Sequence, residues 1–243
     1  MAGKLQDRVA LITGASRGIG YAVAKAYAAE GAHVIALART SGALEELDDE
    51  IRQAGGAGAT LVPLDLKDGD GIDRLGASVY ERWGRLDILV GNAGILGPLS
   101  PLHHISPKDW DNLIASNLTA NWRLIRSLDP LLRASSAGRA IFVSSGAAHK
   151  NTPYWGGYGI TKTALEYMVR TYAAEASETS NIKANLINPG ATRTAMRAKA
   201  MPGEDPETLP KPAELMPLFL ELAGPDCQAN GEIFHFRDWR KSA

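Results

Sequence analysis

Residues 13–20 read Thr13-Gly14-Ala15-Ser16-Arg17-Gly18-Ile19-Gly20. An apolar β-type run, Arg8–Thr13, leads into them, and a helical pattern, Ile19–Glu30, follows at once. Three glycines at a strand-to-helix junction let the backbone turn tightly and approach a ligand closely. The helix start beyond them offers unpaired N–H groups and a partial positive charge, which suits a pyrophosphate. A glycine cluster alone could be only a tight turn. Its place between strand one and helix one of a βαβ unit gives it the force of a dinucleotide site.

Outward from this turn, strand-like and helix-like segments alternate. Apolar β-type runs lie at His33–Ala38, Thr60–Leu64, Leu86–Val90, Ala140–Val143, Ile182–Ile187 and Glu232–Phe236. Several are apolar at consecutive positions, as strands buried on both faces require. Helical patterns at Ala43–Ala54, Ile72–Trp83, Asp109–Arg133 and Pro153–Glu178 fall between them. The alternation predicts a doubly wound, Rossmann-type α/β fold of about seven parallel strands with helices on both faces. No repeat or composition break marks a second domain, so residues 1–243 are expected to form one. The irregular zone from Thr192 to Pro212 holds four prolines, Pro202, Pro206, Pro210 and Pro212, reads as a loop or short helices, and is expected to serve as a lid over the site.

Composition excludes several classes. A net charge of −1 gives no electrostatic case for nucleic acid or an anionic membrane. One cysteine, Cys227, allows neither an internal disulfide nor a multi-cysteine metal site. Adjacent His103 and His104 do not share a helix face and have no acidic partner at metal spacing, so no metal site is expected. No apolar run spans a bilayer, and Met1 to Arg8 lacks a signal-peptide core, which makes a cytoplasmic protein the default. The charge run Glu45 to Glu50 reads as a solvated helix face.

Tyr158-Gly159-Ile160-Thr161-Lys162 places a phenol and an ammonium four residues apart, on one helix face. A cation there favours the phenolate and lowers the phenol pKa from about 10, which suits a general acid/base. Ser145 and Ser144 end the fifth strand, and neighbours on a strand point to opposite faces, so only one can serve.

Taken together these motifs resemble the short-chain dehydrogenase/reductase family, whose glycine motif is Thr-Gly-x-x-x-Gly-x-Gly and whose catalytic pair is Tyr-x-x-x-Lys. The resemblance covers nearly the whole chain and implies hydride transfer between a nicotinamide cofactor and an alcohol or a ketone/aldehyde. It implies Tyr158 as acid/base, Lys162 on the nicotinamide ribose, and Ser145, by its spacing, against the substrate oxygen. Asn117 matches the family's fourth member, which keeps a water in a proton relay. The family's dimer or tetramer interface uses the helices here at Asp109–Arg133 and Pro153–Glu178, so a homo-oligomer is implied.

The resemblance also assigns the cofactor groove to Gly14, Ser16, Arg17, Gly18, Ile19 and Gly20. In NAD-binding relatives an acid ends strand two. Here Ala38 holds that place, Arg39 follows it, and Arg17 approaches from the glycine turn. Two guanidiniums without a competing carboxylate fit a 2′-phosphate, so NADP(H) is expected over NAD(H). Asp65 and Leu66 match the adenine contact, and Asn92-Ala93-Gly94 the segment flanking the adenosine ribose. Gly91 stands where many relatives carry Asn. Pro189 and Gly190 open a Pro-Gly-x-x-x-Thr segment whose nicotinamide hydroxyl is Thr194 or Thr192. The substrate pocket is expected to gather Ile95, Leu96, Ala147, His149, Tyr154, Trp155, Ala191 and Met196, an apolar and aromatic set with one titratable His. The tail from Pro189 to Leu218 is similar to a bacterial branch of the family without a defined substrate. The competing reading is a catalytically silent NADP(H)-binding sensor or scaffold on the same fold. A missing Tyr or Lys would favour it, and both are present.

Overall fold

The first strand, β1 (Val9–Thr13), is buried at every residue, and its side chains divide alternately between two helical layers. Ala10 and Ile12 pack with α1 (Gly18–Ala29), α2 (Ser41–Gln53) and α8 (Met216–Ala223). Val9 and Leu11 pack on the other face with α3 (Gly69–Trp83), α5 (Ala120–Arg133) and α6 (Gly156–Ser177). Two apolar cores, one on each face, explain the unbroken apolar runs in the sequence. The computed structural model describes residues 3–242, so residues 1, 2 and 243, at the ends of the expected domain, lie outside it.

The remaining strands are β2 (His33–Ala38), β3 (Ala59–Pro63), β4 (Ile88–Gly91), β5 (Arg139–Val143), β6 (Lys183–Asn188) and β7 (Ile233–His235). They form one parallel sheet in the order β3-β2-β1-β4-β5-β6-β7. The winding reverses between β1 and β4. A crevice therefore opens at their carboxyl ends, where ligands of such sheets bind.

Local signals stop and start the helices. Asp68 caps α3, accepting from Gly71 N at 2.9 Å, and Gly84, at φ 68°, ends that helix in the left-handed region. Ser106 caps α4 (Pro107–Ile114), with Pro107 in the first turn. The expected helix Asp109–Arg133 is interrupted. A π-helical turn, Ala115–Thr119, joins α4 to α5 and centres on Asn117.

A further departure concerns a boundary. The expected helix from Pro153 begins at Gly156, because Tyr154 takes a left-handed φ of 73° and its carbonyl accepts from Ser100 N. The 192–212 segment holds short helices, one of the two forms expected of it. It contains α7 (Ala195–Ala200) and is tied by a two-bond Arg197–Glu204 pair and by Arg193, which donates to Pro206 O and pairs with Glu207. Helix α9 (Phe236–Ser242) follows β7 directly. Among the described residues no helix is long and apolar enough to cross a membrane.

Candidate active site

The glycine turn is built on backbone demands. Gly14 and Gly18 hold φ of 67° and 61°. A Cβ on Gly20 would stand 2.4 Å from Gly14 O and 2.5 Å from Asn92 Nδ2. Arg17, at the start of α1, supplies no side-chain cap, and the first turn carries no acid. The first-turn N–H groups therefore have no side-chain acceptor, and the donor set fits an anionic pyrophosphate.

Asn92 works beneath this turn. Its Nδ2 donates to Thr13 O at 2.9 Å, while Thr13 Oγ1 accepts from the Asn92 and Ala93 amides, both at 3.0 Å. These bonds stitch β1 to β4 at the switch point. The Asn92 side chain is thus committed to backbone, leaving backbone and shape to face a cofactor. Ser16 and Ile19 are half-buried in the turn, and Arg17 and Arg39 are exposed at the crevice rim. Neither arginine forms an ion pair among the described residues. Asp65 accepts from Lys67 N, a local turn, with Leu66 half-buried against the core beside it.

On the other side of the crevice, β5 and α6 bring the expected catalytic residues together. Tyr158 is buried, and Trp155 lies edge-on to its ring at 6.2 Å. Lys162 is buried one turn on, with Nζ 5.7 Å from the Tyr158 ring centroid and donating to Val143 O at 2.8 Å. The two serines separate as alternation demands. Ser144 turns away to hydrogen-bond Glu166, whereas Ser145 lies beside the phenol and accepts from Ala147 N.

The expected lowering of the Tyr158 pKa is not what the structure gives. Burial pushes the phenol up, and Ser145 pulls it down less. Burial also lowers the Lys162 ammonium to about 8, with Glu166 pulling it back upward. Desolvation dominates because both groups are cut off from water, and the ammonium is turned toward Val143 O.

Asn117 is fully buried. Its Oδ1 accepts from Ile95 N at 2.8 Å, and its Nδ2 donates to Ile95 O and to Thr161 Oγ1. A Cβ on Gly94 would lie 3.2 Å from Asn117 Oδ1 and 3.6 Å from Lys162 Nζ. Gly94 therefore lets the β4 loop settle between the two. Gly190, at φ 67°, turns the chain after Pro189. Thr192 is buried and donates to Pro189 O, while Thr194 caps α7 and sets its methyl 3.4 Å from where a Gly18 Cβ would be.

The expected pocket residues divide. Leu96 is buried and Trp155 abuts Tyr158, but Tyr154 and Met196 are exposed. His149 points its Nε2 at Glu166, 3.1 Å away. An open groove of about 890 Å³ lies instead on the outer face of α6, lined by Trp122, Ile160, Thr163 and Tyr167, and reached by Ala147 and Trp155. Sequence reasoning passed over Glu166, Thr161 and Thr13. A Glu four residues beyond the Lys, inside an apolar helix face, was the available signal.

Sheet, glycine turn and switch-point crevice define a Rossmann-type nucleotide-binding architecture. Residues 8–205 match the short chain dehydrogenase family model, and the chain belongs to that family. It is 38% identical to the oxidoreductase YciK of Escherichia coli (strain K12), over 98% of this chain and 94% of that one. It is 36% identical to the NAD-dependent oxidoreductase Rv0687 of Mycobacterium tuberculosis (strain ATCC 25618 / H37Rv), over 80% and 74%. A short chain dehydrogenase from Shigella flexneri 2a str. 301, solved in complex with NADP, superposes with a TM-score of 0.93 at 37% identity, covering 98% of this chain and all, 100%, of that one.

Proposed function

We propose that this chain is an NADP(H)-dependent oxidoreductase interconverting an alcohol and a ketone or aldehyde, with Tyr158 as the general acid/base. The observation that carries the reading is the convergence of Tyr158, Ser145 and buried Lys162 at the crevice between β5 and α6. When bound, the nicotinamide supplies or accepts the hydride. Tyr158 Oη takes the alcohol proton in oxidation and returns one to the carbonyl oxygen in reduction. Ser145 Oγ donates a hydrogen bond to that same oxygen and stabilises its developing charge. Lys162 holds the ribose hydroxyls, and Asn117 fixes the loop that carries Ile95 beside them.

The glycine turn, Asn92-Ala93-Gly94, Asp65 with Leu66, and Pro189-Gly190 line the dinucleotide, with Thr194 rather than Thr192 facing the glycine turn. Arg17 and Arg39 bind the 2′-phosphate. The NADP complex of the Shigella relative supports this choice, and the NAD-dependent Mycobacterium relative makes it worth measuring. Leu96, Ala147 and Trp155 flank the substrate, with the 192–212 segment as its lid. Exposed Trp122 and Tyr167 support self-association through α5 and α6 as a homodimer or homotetramer. Fluorescence titration of the purified protein with NADPH and NADH tests the cofactor assignment. Tighter NADPH binding is expected, and equal affinity would contradict it.

A further inference from the structure

Outside the catalytic set, one buried acid is left without a role. Glu166 sits on α6 one turn beyond Lys162 and is only 6% exposed. A carboxylate so placed costs free energy unless partners compensate. Its Oε1 accepts from Ser144 Oγ, and His149 Nε2 lies 3.1 Å from the same oxygen.

The partners extend across the sheet. His149 meets His235 edge-on, with ring centroids 5.6 Å apart, and Asn188 Nδ2 lies 2.9 Å from His235 Nδ1. Asn188 Oδ1 in turn accepts from Gly190 N at 3.1 Å. Ser144, Glu166, His149, His235 and Asn188 thus brace the carboxyl ends of β5, β6 and β7. Glu166 anchors that brace on the helix that carries Tyr158 and Lys162. The charged or titratable groups facing it are His149 from the turn after β5 and Lys162 from its own helix, with His235 of β7 behind His149.

We propose that Glu166 is a positioning residue. Its buried carboxylate is the counter-charge that keeps Lys162 an ammonium, and through Ser144 it fixes the strand end that presents Ser145. The consequence for catalysis rests on the Tyr158–Lys162 reading above. The electrostatic claim does not. A negative charge near the pair raises the pH at which its first proton leaves, whichever of the two groups loses it. Neutralising Glu166 therefore moves that step to lower pH. A merely structural brace would leave it in place.

The test is NMR titration of full-length protein carrying [ε-13C]lysine, with the Lys162 signal assigned by its loss in Lys162→Arg. In native protein the midpoint is expected near 8. Glu166→Gln, which keeps the shape and an acceptor for Ser144, is expected to lower it by about one pH unit or more. Glu166→Asp should restore most of the shift. Glu166→Met gives the same reading if the amide variant does not fold. An unmoved Lys162 midpoint in a folded variant would overturn the proposal. The basic limb of NADPH-dependent carbonyl reduction should fall with the midpoint. If Tyr158→Phe keeps its turnover, the catalytic reading fails, while the Lys162 titration still decides the role of Glu166.

Discussion

Lys162 Nζ donates to Val143 O at 2.8 Å, so the last carbonyl of β5 and the helix carrying Tyr158 are joined by one buried hydrogen bond. Burial holds that ammonium away from water, and its pKa falls to about 8 as a result. In the unfolded chain the same lysine titrates near 10.4.

That difference has a sign. Between pH 8 and about 10.4 the unfolded chain binds more protons than the folded one, so stability from this group rises with pH across the window. Below pH 8 the full cost of the buried charge is present, on the order of 3 kcal/mol. The native protein minus Lys162→Met difference, measured by urea unfolding, should move in favour of the native protein by up to about that amount from pH 7 to 10. A difference independent of pH would mean that Lys162 is solvated in the folded state.

Gly20→Ala places a methyl against backbone, 2.4 Å from Gly14 O, where no side-chain movement can relieve it. The variant is expected to lose about 1–3 kcal/mol of stability and most of its nucleotide affinity. Thermal unfolding with and without NADPH checks both.

Arg39→Ala is expected to weaken NADPH binding about 10- to 100-fold while changing NADH binding little, since only the former carries the 2′-phosphate. Arg17→Ala should act in the same direction. Equal losses for both cofactors would place the arginines elsewhere than at the phosphate.

Trp122→Glu combined with Tyr167→Glu puts two charges into the exposed apolar groove of α5 and α6. Light scattering should report a dimer or tetramer for the native chain and a smaller species for the double variant. An unchanged mass would move the interface to another surface.

Much of this was legible in the sequence because each signal was local. The run His33–Ala38 is strand β2 to the residue, since its alternate side chains enter both cores. The glycine turn and the Tyr158–Lys162 spacing follow from strand and helix periodicity, whereas the choice of Ser145 over Ser144 rests on the family resemblance. What escaped was set by tertiary context. The π turn at Asn117 leaves the apolar spacing around it intact. The late start of α6 depends on the left-handed backbone at Tyr154, which tertiary contacts impose. His149 looked like a pocket residue because its partner, Glu166, is 17 positions away and on another element. The upward push on Tyr158 reflects burial, which spacing alone does not report.

The most direct test of the account replaces the phenol hydroxyl alone. Tyr158→Phe and native protein are compared for NADPH affinity by fluorescence and for NADPH oxidation at 340 nm across a panel of ketones and aldehydes. Nearly equal affinity is expected, with turnover lost by about a thousandfold or more in the variant. Turnover retained at the native rate would contradict Tyr158 as the acid/base and the mechanism built on it.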